Sequence, residues 1–493
     1  MMKSTINTFS ILTLFSFVLL FGCSEDYLNR EPSDYLTGEQ IKKYSPVNSE
    51  IPKGIIRGVY STTFAWGTGG TGDHDDFGQK SIDIVTDLMC GDMVLVGKTY
   101  GWFSQDYELN SMNRTDGRAY KIWRYYFQII KGANSVIDAF DNDSIGDANQ
   151  SAYGQALALR AYAYYNLVNL YQHPFSDNPT EMALPIYKSQ TTAEAAALSS
   201  VEDVYNFVIS DLELAVEMLD GFTRTNKNEI NQSVAKGLLA YAYLSSGEYD
   251  KAALLSSEIL SSGEFSLMDK DEVVQSGFNS INIPGWMWGV DITKENTASL
   301  ATFWGMMDIF TYSYAGAGDG KAIDISLFNA IPENDVRKLQ FLDDEDNNYY
   351  LHPTYKFYDN DRVIFADKLW ENDIVYMRVA EMYLVAAEAY AHIDVNESKK
   401  VLKMLLAERE SGAATRINAL SNAQLMDEIY LQWRIETWGE GKSLFAAKRM
   451  NKTMGRGANH KYLANSSYEY NDKRMIFEIP ESEINNNPQI DLN

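Results

Sequence analysis

The hydrophobic and polar positions along this chain predict helices, most of them in adjacent pairs. Over 201–219 the apolar residues Val204, Val208, Leu212, Ala215 and Leu219 recur at three- and four-residue spacing, which lays one stripe along an amphipathic helix. Ser200 stands where it can cap that helix, with Asp203 three residues on. The run 155–171 (QALALRAYAYYNLVNLY) is rich in Ala, Leu and Tyr and free of Gly and Pro, so it too reads as helix. Ser233 to Ser266 has the form of a tetratricopeptide unit, two antiparallel helices of about 34 residues together. Ala240, Tyr243, Gly247, Tyr249 and Ala252 fall on that unit's offsets, with Gly247 at the turn. A second pair is expected from Tyr376 through Arg409, with Ala386, Ala387 and Tyr390 in the same roles, and a third from 120–140 and 155–171. Ile55 to Phe64 also reads as helical, and one more long helix is expected from Asn422 to about Met450.

The helical period fails in three places: 66–113, 265–369, and from Thr453 to the C-terminus. These stretches are rich in Gly, Asn, Asp and aromatic residues. Long irregular stretches in a compact protein are usually functional. The expected fold is therefore mainly α, with tetratricopeptide-like helix pairs forming a scaffold, large irregular loop-rich insertions, and little β-structure. The expected division is a signal segment over 1–22 and a single domain over 23–493. Within that domain, 23–275 is an N-terminal half with helix pairs, 276–375 a loop-rich ligand-binding insertion, 376–450 further paired helices, and 451–493 an irregular C-terminal segment.

The first residues change the picture of where the chain works. Lys3 precedes an almost wholly apolar run from Phe9 to Phe21, too short to span a bilayer as a helix but suited to an export signal. It ends Leu20-Phe21-Gly22-Cys23, which resembles a bacterial lipobox, with Phe21 bulkier than usual at its position. Cys23 is then the expected lipidated N-terminus. Ser24-Glu25-Asp26 behind it resembles the surface-export signal of Bacteroidetes lipoproteins. Cys90 is the one other cysteine, so no disulfide is expected. A formal net charge of −26 argues against nucleic acid, whose phosphates require basic patches.

Several separated motifs resemble the SusD/RagB family in the right order. The opening Cys23-Ser-Glu-Asp-Tyr-Leu28-Asn-Arg-Glu-Pro32 is similar to the family's own. Trp123 and Tyr126 followed by Ala133-Asn134, the helix Leu159-Arg160-Ala161 with Tyr165 and Leu167, Arg378 with Ala380-Glu381 and Glu388-Ala389, and the tail Phe477-Glu-Ile-Pro480 with Glu483 and Asn487-Pro488 resemble the rest. One stretch departs: around Gln432 to Phe445 Glu436 and Gly441 match, but the family's later Arg and Asp are replaced, so local salt bridges are expected to differ. The resemblance implies a surface-exposed lipoprotein that captures oligosaccharides and delivers them to a SusC-like TonB-dependent outer-membrane transporter, anchored by the lipid on Cys23 and facing the exterior. It implies binding, not catalysis. The alternatives are a peptide-binding member of the same family or a glycoside hydrolase on a helical scaffold. The glycan itself does not carry over.

Sugar recognition pairs flat aromatic platforms with hydrogen-bonding side chains, and the irregular stretches offer both. In extended chain, Trp286 and Trp288 project to one side roughly 6.5–7 Å apart. Trp102, Trp286 and Trp304 are the leading candidate glycan contacts, followed by Trp288, Tyr312 and Trp66. Trp123, Trp433 and Trp438 lie on expected helices and read as scaffold. Gly67-Thr-Gly69-Gly-Thr-Gly72 matches GxGxxG in letters. It lacks the strand before and the helix after that a dinucleotide fold needs, and the acidic run 73–76 follows it. Gly441-Lys-Ser443 lacks the first glycine of a phosphate loop. The acidic clusters 73–76 and 343–346 read as solvated loops rather than calcium sites, and the five histidines form no metal motif. No cofactor, metal or catalytic residue is expected.

Overall fold

The computed structural model describes residues 36–140, 145–190, 195–298, 300–359, 362 and 371–490. The export signal, Cys23 and the opening motif lie outside them. Long helices dominate. Glu50–Thr62, Gly117–Ile137, Asp147–Tyr171, Val201–Met218, Gln232–Ser246 and Tyr249–Ser261 follow one another, and Val379–Ile393, Val395–Ala407 and Asn422–Glu436 complete the scaffold. Each packs on its chain neighbour, and Tyr249–Ser261 also packs on Val379–Ile393, which joins the two helical halves. Ser200 and Asp203 form the expected capping box on Val201–Met218. The Asp147–Tyr171 helix is buried from Ala152 to Tyr171 and forms the axis of the core. The strands are short and pair two by two, all antiparallel. Among the described residues no helix is long and apolar enough to cross a membrane.

Three expectations need correcting. The stretch 66–113 contains the helix Gln79–Cys90, every residue of which is buried. Its polar residues Lys80, Asp83 and Asp87 lie inside the protein, so no polar face marked it as helical. The pair expected from Tyr376 begins at Val379, because Ile374–Arg378 is a strand paired with Trp286–Val290. The single helix expected from Asn422 to Met450 is two, Asn422–Glu436 and Ser443–Arg449. The break carries two left-handed glycines, Gly439 (φ 76°) and Gly441 (φ 72°). A Cβ on Gly441 would stand 2.6 Å from the backbone of Asp83, so the chain turns there to pack on the buried Gln79–Cys90 helix.

The motif residues hold these elements together through buried ion pairs. Glu436 receives Arg378 at 2.8 Å, Arg409 at 2.9 Å and Arg337 at 3.1 Å, and Glu440 receives Arg378 and Lys356, both at 2.8 Å. Burial opposes the charge on Glu436, but the guanidinium groups of Arg409, Arg378 and Arg337 hold its carboxyl well below the usual carboxylate range. Glu388 receives the Trp433 indole N–H at 2.7 Å and Arg449 at 2.6 Å. Arg160 donates to Asp211 at 2.7 Å and to Asn134 at 2.8 Å. Isolated charges could not be buried here without these partners.

Candidate functional site

Three irregular segments, 66–77, 96–103 and 308–320, meet at one surface and present a cluster of rings. His74 is its centre. The Trp102 ring stacks on it at 5.4 Å with planes 9° apart, Trp66 meets it edge-on at 5.9 Å, and Tyr314 meets it at 5.7 Å. Tyr314 Oη and His74 Nδ1 share a hydrogen bond of 2.6 Å. Tyr100 packs edge-on against Tyr314 at 4.8 Å. Tyr314 is buried, while Trp66, Tyr100 and the adjacent Tyr312 are 50 %, 54 % and 50 % exposed. Rings exposed singly are ordinary on a protein surface; several gathered into one patch are the informative case.

Each segment is fixed by a carboxylate that gathers backbone N–H groups. In the first, Asp76 accepts from Gly69 N at 2.6 Å, Thr71 N at 3.0 Å and the Thr71 hydroxyl at 2.8 Å. Gly67 and Gly70 supply the positive φ angles, 80° and 88°, that the loop needs to close. The glycine run therefore is an anion-binding nest, but the anion is the chain's own Asp76. Trp66 is held by its indole N–H, which donates to Asp73 O at 2.9 Å. The neighbouring Asp75 pairs with Arg118 and Lys121, both at 2.6 Å. Burial pushes its carboxyl up, but the two cations outweigh this and leave it below its ordinary pKa.

In the second segment, Asp319 accepts the backbone N–H of Thr99 at 2.5 Å, of Tyr100 at 3.0 Å and of Gly101 at 3.3 Å. This ties the loop that carries Tyr100 and Trp102 to the one that carries Tyr312 and Tyr314. The third segment is ordered by Asp308, which accepts from Phe310 N at 2.9 Å and the Thr311 hydroxyl at 3.1 Å. Burial pushes the Asp308 carboxyl up to about 6. Below the cluster lies Lys321, buried, with Nζ donating to Asp319 O at 2.9 Å and sitting over the Phe103 ring at 5.3 Å. Desolvation brings its pKa down to about 7.

The six candidate contacts divide. Trp66, Trp102 and Tyr312 lie at the ring cluster. Trp286, Trp288 and Trp304 do not: they are 0 %, 1 % and 1 % exposed, and the expectation that they form solvent-facing platforms is corrected. Trp286–Val290 is a strand buried on both faces, and its register slips between Trp286 and Trp288. Trp288 packs edge-on against Tyr162 at 5.2 Å and against Tyr376 at 5.0 Å. Trp304 lies on the short buried helix Phe303–Met307 beside Phe303 and Phe357. Two-residue spacing says that two side chains share a side of a strand, not that the side faces water. Trp123 and Trp433 are buried on helices and Trp438 is buried just beyond one. His74, Tyr100 and Asp319 were not legible as site residues, because their roles arise only where the three segments meet.

Two family models match the chain. One, described as starch-binding and associating with the outer membrane, covers residues 73–244. The other, the SusD family, covers residues 342–493. The chain is 25 % identical to SusD-like protein P2 of Formosa agariphila, with 91 % of each chain covered. It is 24 % identical to a SusD-like protein of Bacteroides ovatus over 241 residues, which is 48 % of this chain and 39 % of that relative. The chain thus spans well under half the length of that relative. Among solved structures, a SusD-like carbohydrate binding protein from Bacteroides vulgatus superposes with a TM-score of 0.77 at 25 % identity, covering 90 % of this chain and 97 % of that one.

Proposed function

This chain belongs to the SusD/RagB family, and from that premise we propose that it is a glycan-binding protein, not an enzyme, which captures an oligosaccharide at the ring cluster of Trp66, Tyr100, Trp102 and Tyr312. The observation that carries the reading is the cluster itself, with three rings half open to solvent on loops pinned by Asp76, Asp308 and Asp319. Sugar rings present faces of C–H groups that stack on such platforms, and a pre-ordered platform loses little entropy on binding. The carboxylates around the cluster hold loops and salt bridges, as Asp75, Asp76 and Asp319 do. That use favours capture over glycosidic bond cleavage, which needs a carboxyl pair flanking the scissile bond. The name of the Bacteroides vulgatus protein, a carbohydrate binder, supports the same ligand class. Delivery to a TonB-dependent transporter, and attachment at the outer membrane through a lipid on Cys23, complete the proposal. They rest on the sequence motifs and on the outer-membrane description of the matching family.

The test is calorimetric titration of the soluble chain beginning after Cys23 with a panel of oligosaccharides, alongside Trp102→Ala. Saturable binding that the substitution weakens is the expected result. Release of reducing ends would establish a hydrolase instead, and peptide binding indifferent to Trp102→Ala would establish the peptide-binding alternative.

A further inference from the structure

The helices Val201–Met218 and Gln232–Ser246 pack as neighbours, yet thirteen residues, 219–231, connect them. That is far more than adjacent helices need. The connection is a built wall. Asn226 donates to Asp291 at 2.8 Å, the Lys227 ammonium to Ile283 O at 2.8 Å, and Arg224 to Glu229 O at 2.8 Å. Gly289 N donates to Lys227 O at 3.1 Å, which fastens the connection to the strand that carries Trp286 and Trp288. Behind this wall opens a cleft of about 670 Å³, within the size range of small-molecule sites.

The lining of the cleft defines its ligand. Amides and hydroxyls dominate: Asn226, Asn231, Gln232 and Asn282 with Thr223 and Thr225. Phe222 and Phe265 supply ring surface. Arg224 and Lys227 are opposed by Glu264, Asp291 and Asp373, so the cleft selects neither cations nor anions by net charge. The amide N–H groups of Asn226, Asn231 and Gln232 already donate to Asp291, Glu264 and Val216 O. The lining therefore offers a ligand chiefly hydroxyls and acceptor oxygens beside a little ring surface, which suits the O–H groups of a neutral polyhydroxylated molecule.

Adjoining hollows lead from the cleft toward Trp66, at the edge of the ring cluster. Thr225, Asn226 and Asp291 are shared with a second hollow of about 480 Å³. Phe64 and Asn296 are shared between that hollow and a narrow pocket of about 30 Å³, whose wall includes Trp66. A line of hollows thus runs from Trp66 to the 219–231 connection.

We propose that the cleft behind the 219–231 connection is a second sugar subsite, on the same line of hollows as Trp66, so that one extended oligosaccharide rather than a mono- or disaccharide occupies it and the ring cluster together. This rests on the glycan-binding reading above and adds ligand length to it. Occupying both places at once makes the second contact intramolecular, which raises affinity for chains that reach it.

Affinity electrophoresis against starch, xylan, galactomannan and mixed-linkage β-glucan selects a polysaccharide that retards the chain, and oligosaccharides cut from it supply a ladder of lengths for calorimetry. Wild-type chain is expected to bind hexa- to octasaccharides about tenfold or more tighter than di- and trisaccharides. Thr225→Trp, which fills the shared wall from an exposed position, and Asn282→Ala, also exposed, should abolish that gain and leave short-chain affinity unchanged. Trp102→Ala should weaken short and long chains alike. Variants that keep the full gain with length, or a wild type without one, overturn the second subsite while leaving the ring cluster standing. Short-chain binding untouched by Trp102→Ala, or no retardation by any of the four polysaccharides, overturns the glycan reading itself and the subsite with it.

Discussion

Asp319 accepts the backbone N–H of Tyr100 at 3.0 Å, as the middle one of three successive N–H groups it gathers from the loop 99–101. The contact spans more than two hundred residues of chain and joins the two loops that carry most of the ring cluster. Asp319→Ala should release the loop bearing Tyr100 and Trp102. Because that loop is exposed, water replaces the lost partner, and stability should fall by only about 1–2 kcal/mol. Affinity for oligosaccharide should fall roughly tenfold as the platform loses its order. Calorimetry beside thermal unfolding separates the two effects; an unchanged affinity would show that Asp319 does not position the platform.

The tryptophans divide into two experimental classes. Trp66→Ala and Trp102→Ala should each weaken oligosaccharide binding about tenfold or more with little change in melting temperature, since aromatic platforms contribute on the order of 1 kcal/mol or more to stacking contacts. Trp286→Ala and Trp304→Ala should destabilise the fold by about 3–5 kcal/mol through the cavities they leave. Denaturant unfolding of the four variants checks this; equal stability losses across the set would refute the division.

Lys321 is a buried ammonium whose pKa falls from an ordinary 10.5 to about 7 through desolvation. Between those two values the unfolded chain binds more protons than the folded one, so stability attributable to this residue rises with pH from about 7 toward 10.5. Below pH 7 the full cost of the buried charge is present. Lys321→Met should therefore stabilise the protein by about 2 kcal/mol or more at pH 6, with the advantage vanishing as pH approaches 10.5. Urea unfolding of both proteins across that range measures it, and a difference independent of pH would count against the assignment.

Glu436 binds three guanidinium groups with its side chain 3 % exposed. Glu436→Gln leaves Arg337, Arg378 and Arg409 short of a counter-charge in the core, and a loss of about 3–5 kcal/mol is expected. Its folded-state carboxyl pKa lies below the ordinary value, so the stability it contributes is present at neutral pH and is lost as pH falls through the carboxylate range and below. The gap between wild type and Glu436→Gln should therefore narrow in acid, which chemical unfolding near pH 4 and pH 7 would detect.

The sequence by itself determined the helices whose faces differ in polarity. Val201–Met218 with its Ser200 cap, and the Gln232–Ser246 and Tyr249–Ser261 pair about Gly247, stand as expected, because an amphipathic stripe and a cap are local patterns. It also determined the family motifs, whose Arg160, Arg378, Glu388 and Glu436 prove to be buried charge partners. Tertiary structure alone decided which aromatics meet solvent. Trp286 and Trp102 look alike as letters in glycine- and aromatic-rich stretches; one is sealed in a two-faced buried strand and the other stacks on His74 at the surface. Burial depends on what packs across from a residue. Here those partners come from separate segments of the chain, through contacts such as Asp319 with Tyr100 that no local spacing encodes.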